Sequence, residues 1–450
     1  MSDFRYELLN KDISMKDMFA ERNIYQAYLD VEAALARAQA QLGVIPQSAA
    51  DKISSSAQID LLDIDAIHEG LRISGHPLVP IIWELDRVCG EEAGGYIHWG
   101  ATTQNITQTA KLLVVKRCHD IFLGNLGKLL NILADLAEKS KDYAMPGRTH
   151  GQHAVPMTFG HKVAVWIDEI LRHIDRLKGC EERVFVTMLG GGAGTLASVG
   201  MEGLHTQELM AKELNMTSMP MPSRTTQDHQ AEYVTILALF ASTSTKMARE
   251  IYTLMKQEYG EAEERITEGQ VGSSTMPQKR NPKRSQRIIA NAAKIRVFVP
   301  LAFESMQEEH EADASGQQMI NAAIDQTCIL TDEIILGLID LFDGVNLYPE
   351  RMRRNLDLSG GLIMSEQIML ELGKEIGRQR AHDVVYDAAQ KSVNEGRSFL
   401  DTLAEEEDVV ARLSKDQIAE LLDPENYMGL CSYFAETFAA RARDRAKELG

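Results

Sequence analysis

Residues Ile24–Leu42 read IYQAYLDVEAALARAQAQL. Apolar residues recur at three and four, with polar residues between them, which is the period of a helix with one buried face. The run stops at Gly43, a residue suited to the left-handed turn after a helix, and Pro46 follows. The same period continues outward. Long stretches without β-branched alternation run over 104–141, 158–186, 230–267, 282–306 and 315–342. Pro300 falls inside the fourth and is expected to kink or break it. Alternating β-branched runs and Asn-Gly hairpin turns are nearly absent. The pattern predicts an all-α chain whose longest helices form a bundle.

Composition narrows the class. The chain has 450 residues and a net charge of −19. That acidity disfavours nucleic acid and anionic membrane as partners, because both reward basic patches. An anionic small molecule stays open, since a basic pocket can sit in an acidic protein. The five cysteines, Cys89, Cys118, Cys180, Cys328 and Cys431, are widely spaced with no CxxC pair, which points to a reducing cytoplasm. The first residues, MSDFRYELLNKD, have no apolar export core, and no run approaches the roughly 18 apolar residues of a spanning helix.

Residues Gly272–Pro282 read GSSTMPQKRNP. Gly272 and Pro277 constrain the backbone, Ser273 and Ser274 offer hydroxyls, and Lys279 and Asn281 offer a charge and a carboxamide. This mix suits the gripping of a carboxylate and removal of a proton from the carbon beside it. The stretch resembles the GSSxMPxKxNP signature of the aspartase/fumarase lyase superfamily, with every fixed position filled. The resemblance covers the whole chain. Asp30–Pro46, Leu189–Ala197 and Gln379–Tyr386 look most like the carboxymuconate cycloisomerase branch. The resemblance implies three helical domains, at 1–110, 111–347 and 348–450, with a long central bundle that forms the core of a homotetramer. It further implies active sites shared between subunits.

Three more segments resemble the superfamily. His98–Ala110, HWGATTQNITQTA, places Thr102, Thr103 and Thr109 at the family's hydroxyl positions, and Asn105 where Asp is usual. Hydroxyls at a helix start suit a carboxylate, though a plain helix cap reads the same way. Gly147–Pro156, GRTHGQHAVP, resembles the R-T-H-x-Q segment of adenylosuccinate lyases through Arg148, Thr149, His150 and Gln152. His150 matches their general acid; cycloisomerases of bacteria commonly carry Trp there. His76 and His98 match pocket-lining positions. A zinc reading of His150 and His153 would need a third ligand. The Gly190–Gly194 run lacks the residues of a phosphate loop and reads as a place of close backbone approach. No metal and no cofactor are expected.

The resemblance implies anti β-elimination. Ser273 would be the base, Lys279 would lower its pKa and bind the substrate carboxylate, and Asn281 would hydrogen-bond the enolate-like oxygens. Ser274, Met276, Thr102, Thr103, Thr149, Gln152, His98 and His76 would contact substrate. Gln286 stands where relatives carry a Glu. Glu309–Ala312 departs from the family's H-E-R pattern, and no Lys or Arg occurs between Arg296 and Arg351, so that stretch offers no cation for a phosphate. The expected reaction is C–N cleavage of an N-substituted aspartate to release fumarate. The alternatives are lactonisation of carboxymuconate, adenylosuccinate cleavage, and a catalytically idle structural or fumarate-binding homologue.

Overall fold

The computed structural model describes residues 14–266, 275–276 and 278–449. Ser273 and Ser274 therefore lie outside the described residues. Among the described residues helices dominate, and three two-stranded sheets accompany them. The chain divides into two compact units, each gathered from three stretches. The first holds residues up to Leu123, His173–Ser242 and Asn291–Ile334. The second holds Gly124–Arg172, Thr243–Ala290 and Ile335 onward.

In the first unit the opening periodic run forms a helix over Glu21–Gln41. Its end is a Schellman motif. Gly43 has φ +73°, its N–H donates to the Ala40 carbonyl (3.0 Å), and the Val44 N–H reaches back to Gln39 (2.9 Å). The buried face packs Tyr25, Leu29, Ala33 and Ala36 against Ile53, Ile67, Ile81 and Leu85 of the next helices. Leu29, Ile53, Ile67 and Ile81 are wholly buried, so truncating any one to Ala would cost about 2–5 kcal/mol.

The long helices run over Thr103–Lys139, Phe159–Val184, Asp228–Leu254, Lys283–Glu304 and Ala314–Asp343. Two expectations need correction. The helix begun at Asp228 ends at Leu254 instead of continuing to 267. Gly260 turns the chain at φ +63°, and Ala262–Glu263 pairs as a strand with Asn346–Leu347. The helix holding Pro300 continues past it to Glu304. Proline removes one N–H from the ladder, but the remaining four residues complete the last turn.

The second unit contains the element the periodicity hid. Ala144–Thr149 and Gln152–Thr158 form an antiparallel hairpin. Its two central residues, His150 and Gly151, have φ +53° and +77°. Positive φ at both positions is the requirement of a type I′ turn, whose twist matches the strands. A bulge sits between Pro146 and Arg148. Gly147 is required there, because a Cβ would fall 2.6 Å from the Val155 carbonyl oxygen. From Pro349 on, helices are shorter, and Ile368, Leu372, Phe399 and Ile418 form a separate core.

Candidate active site

In the first unit, the Thr103–Lys139 helix begins at the hydroxyl-rich segment. Asn105, wholly buried, organises it. Its Oδ1 accepts from the Thr102 N–H (3.1 Å), the Gly191 N–H (3.0 Å) and the Gly190 N–H (3.4 Å). The carbonyl oxygen thus gathers three backbone donors, as a carboxylate would, without a charge. Its Nδ2 is buried with no partner among the described residues. The GGGAG loop is pinned beside the helix start in this way. A Cβ at Gly194 would meet the Pro222 carbonyl oxygen at 2.4 Å, which is the close backbone approach the glycines allow. Thr109 is structural: its hydroxyl accepts from the Met188 N–H at 3.0 Å. Thr102 and Thr103 are half-buried.

His98 also belongs to this unit. It sits at φ +60°, and its Nδ1 lies 2.6 Å from Oε1 of Glu32, a carboxylate 1% exposed. The pairing fixes the ring and holds the Nδ1 proton against the carboxylate, leaving Nε2 to act outward. His76 accepts from the Leu78 N–H through Nδ1 (3.2 Å). Burial, and then the nearby His98, lower its pKa. Nothing in the sequence near either histidine marks Glu32 as a partner, because 66 residues separate it from His98.

In the second unit, the hairpin tip presents Thr149, His150 and Gln152, all exposed. His150 has no hydrogen-bond partner among the described residues. Arg148 has a different task. Its guanidinium makes two hydrogen bonds to Glu261, 3.0 and 2.6 Å, and stacks over the Tyr259 ring at 4.9 Å. Asn355 Nδ2 donates to the same carboxylate at 2.7 Å. The hairpin is thereby anchored one residue pair below its turn, while Thr149, His150 and Gln152 stay exposed. His153 lies opposite Arg148 in the strand register, and burial and then that guanidinium lower its pKa.

The end of the signature leads into the Lys283–Glu304 helix. Glu264 caps this helix: Oε2 accepts from the Arg284 N–H and Oε1 from the Ser285 N–H, both 2.9 Å, and the Ser285 hydroxyl donates to Oε1 at 2.7 Å. Those amides are occupied by a protein carboxylate, which also satisfies the positive end of the dipole. Those two amides are therefore not open to a substrate carboxylate. Met276 and Lys279 are exposed, Asn281 is half-buried, and the Lys279 N–H donates to the Met276 carbonyl (3.0 Å). Gln286 is exposed. Among the described residues, no three His, Cys, Asp or Glu side chains converge to hold a metal, and no helix is long and apolar enough to cross a membrane.

A family described as "Lyase" matches residues 7–297, and one described as "Adenylosuccinate lyase C-terminus" matches 361–438. The adenylosuccinate lyase of Methanothermobacter thermautotrophicus is 37% identical, across 92% of this chain and 93% of its own. The N-acetyl-S-(2-succino)cysteine lyase of Enterococcus italicus is 37% identical, across 90% of this chain and 89% of its own. The crystal structure of the 3-carboxy-cis,cis-muconate lactonizing enzyme from Pseudomonas putida superposes with a TM-score of 0.86. It is 33% identical and covers 97% of each chain.

Proposed function

Because the chain belongs to the aspartase/fumarase superfamily of lyases, we propose that it eliminates fumarate from a 2-substituted succinate. The bond broken joins C2 of the succinyl group to a nitrogen or sulfur of the leaving group. The observation that carries this reading is His150 at the apex of an exposed hairpin, without a hydrogen-bond partner among the described residues. An unengaged imidazole is free to move a proton to a departing heteroatom.

In this reading Ser273 removes a proton from C3, and the C3–H electron pair becomes the C2–C3 double bond. The C2–heteroatom pair leaves with the amine or thiol, which His150 protonates. Lys279 and Asn281 stabilise the dianionic intermediate. Thr102 and Thr103, at the start of a helix, hold a succinyl carboxylate with His76, His98, Thr149, Gln152, Ser274 and Met276 around the substrate. No metal or cofactor enters the scheme. The exposed hairpin tip supports a homotetramer whose sites are shared between subunits, since a lone chain leaves those three side chains to solvent. The division at 110 and 347 belongs to the same proposal, and the separate match over 361–438 supports its last part. Five buried, unpaired thiols support a reducing compartment.

Sulfur deserves equal standing with nitrogen for a chemical reason. A thiolate leaves near its free pKa of about 8.5 and needs less help from an acid than an amine does. No carboxylate hydrogen-bonds to His150 among the described residues. The E. italicus relative is named for a succinylated thiol. Lactonisation of carboxymuconate and cleavage of adenylosuccinate are the further alternatives.

The test is ultraviolet detection of fumarate from a panel of N- and S-substituted succinates, adenylosuccinate, argininosuccinate and 3-carboxymuconate. Turnover of a substituted succinate, lost in Ser273→Ala, is the expected result. Turnover of carboxymuconate alone would sink the elimination reading. Silence together with fumarate binding would make the protein an idle homologue.

A further inference from the structure

One residue beyond Thr103, within the first unit, begins a polar network that the elimination scheme does not use. Arg224 donates from Nε to Gln104 Oε1 (2.9 Å) and from Nη1 to the Gly192 carbonyl (2.5 Å). Gln104 Nε2 donates to the Arg224 carbonyl (2.6 Å) and lies 3.3 Å from Gln317 Oε1. Gln227 Nε2 lies 3.5 Å from that same oxygen and donates to Glu308 Oε1 at 2.8 Å. Glu308 Oε2 accepts from the Asp313 N–H at 3.3 Å. A guanidinium and a carboxylate thus end a line of three carboxamides.

Neither charge has an opposite charge in hydrogen-bond contact among the described residues, although the two attract each other weakly across the network. Arg224 and Glu308 are half-buried, and neither forms an ion pair among the described residues. All their hydrogen-bond partners are neutral. Holding a charge partly out of water without an opposite charge is unfavourable. Burial raises the Glu308 pKa; the hydrogen bonds from Gln227 and the Asp313 N–H and the more distant charge of Arg224 oppose it, while the Asp313 charge adds to it. Gly316 leaves the carboxylate its room: a Cβ there would stand 2.4 Å from Glu308 Oε1 and would have to displace that side chain. Two further carboxamides of the cluster are buried with an unmet atom, Gln108 Nε2 and Gln230 Oε1. Their side chains are 1% and 0% exposed. Gln104 donates to the other end of Gln108 at 3.2 Å, and Gln230 donates to Gln227 at 2.6 Å.

A network with a cation at one end and an anion at the other, neither ion-paired among the described residues, and with unmet amides beside it, suits a ligand carrying both charges. We propose that Arg224 and Glu308 recognise the leaving group as an α-amino acid, Arg224 binding its carboxylate and Glu308 its ammonium. Gln104 joins this network directly to the Thr102–Thr103 helix start. The proposal rests on the elimination reading for its reaction and adds the substrate class, a succinylated amino acid. A guanidinium takes a carboxylate through two parallel hydrogen bonds, and an ammonium stabilises the charged form of Glu308.

Four thioethers separate the two charges: S-(2-succino)cysteine, its N-acetyl derivative without the ammonium, the cysteamine analogue without the leaving-group carboxylate, and 2-(ethylthio)succinate with neither. Fumarate release is measured with wild type, Arg224→Met and Glu308→Gln, after melting curves establish that all three fold. The wild type should prefer the zwitterion. Arg224→Met should lower kcat/KM about tenfold or more for the two carboxylate-bearing leaving groups, and Glu308→Gln for the two ammonium-bearing ones. Both variants should leave 2-(ethylthio)succinate within about twofold. Equal losses on all four, or a wild-type preference for the N-acetyl compound, would overturn the proposal. Calorimetry with S-methyl-L-cysteine in the presence of fumarate needs no turnover. Binding that both variants lose supports the cradle even if the reaction reading fails, and no binding by wild type overturns it even if fumarate is released.

Discussion

The guanidinium of Arg148 and the carboxylate of Glu261 form a two-point ion pair in which Glu261 is wholly buried and Arg148 is 16% exposed. This pair joins the hairpin, just below its turn, to the segment after the Asp228–Leu254 helix. Removing one member of a buried pair leaves an uncompensated charge. Arg148→Met should therefore destabilise the protein by about 3–5 kcal/mol, read from urea unfolding. Adding Glu261→Gln should recover a large part of the loss, because Asn355 can still donate to a neutral amide. Equal instability in single and double variants would mean that packing on Tyr259, not charge, is the anchor.

His150 offers the opposite profile. It is exposed, sits at φ +53° and is followed by Gly151. Asn is the residue that most readily accepts this position of a type I′ turn. His150→Asn should keep or slightly raise the melting temperature while lowering kcat by about 10²–10⁴-fold. Activity within a factor of two of wild type would remove His150 from the mechanism.

Asn105 tests how the helix start is held. Its Oδ1 serves three backbone N–H groups while its Nδ2 has no partner among the described residues. Asn105→Asp keeps the acceptor and removes the unmet donor, so the fold should tolerate it. Asn105→Leu leaves the three N–H groups without their acceptor and should cost about 1–3 kcal/mol. The comparison is made by chemical unfolding at neutral pH. An Asp variant less stable than the Leu variant would show that the buried negative charge dominates.

Asp332 supplies a pH dependence. Burial, with a smaller contribution from Glu333, raises its pKa from 3.8 to about 6. The folded chain then holds a proton there that the unfolded chain releases, between the two values. This contribution to stability is present in full below 3.8 and is lost as pH rises through about 6. The melting temperature of Asp332→Asn, relative to wild type, should rise across that window and level off above it. A constant difference from acid to neutral pH would refute the shift.

Much of the architecture was legible from residue periodicity alone. A 3.6-residue pattern is local, so the helix Glu21–Gln41 and its Gly43 stop were legible as the run Ile24–Leu42, with the less apolar first turn missed. The long helices at 103–139, 159–184 and 314–343 followed the same logic. The hairpin did not, because its turn is His-Gly instead of Asn-Gly and two prolines, Pro146 and Pro156, face each other in its strands. The end of the third long helix at Leu254 was also hidden. Glu261 leaves the helical path to meet Arg148, a residue 113 positions away.

The candidate site divides along the same line. The signature Gly272–Pro282, the hydroxyls of Thr102 and Thr103, and the Arg148–Gln152 segment are contiguous in sequence, so residue types and spacing were enough to single them out. Pairings across long separations were not. Glu32 finds His98, Asn105 finds Gly190 and Gly191, and Arg224 joins Gln104 and, through a line of amides, Glu308. Hydrogen bonds and ion pairs act over about 3 Å and carry no mark in the local pattern. The sequence by itself determined which residues are candidates for the chemistry and that helices would dominate the fold. Only the tertiary structure decided which charges are paired, which remain open and which backbone amides are already taken, because each depends on chain segments that meet in space after folding.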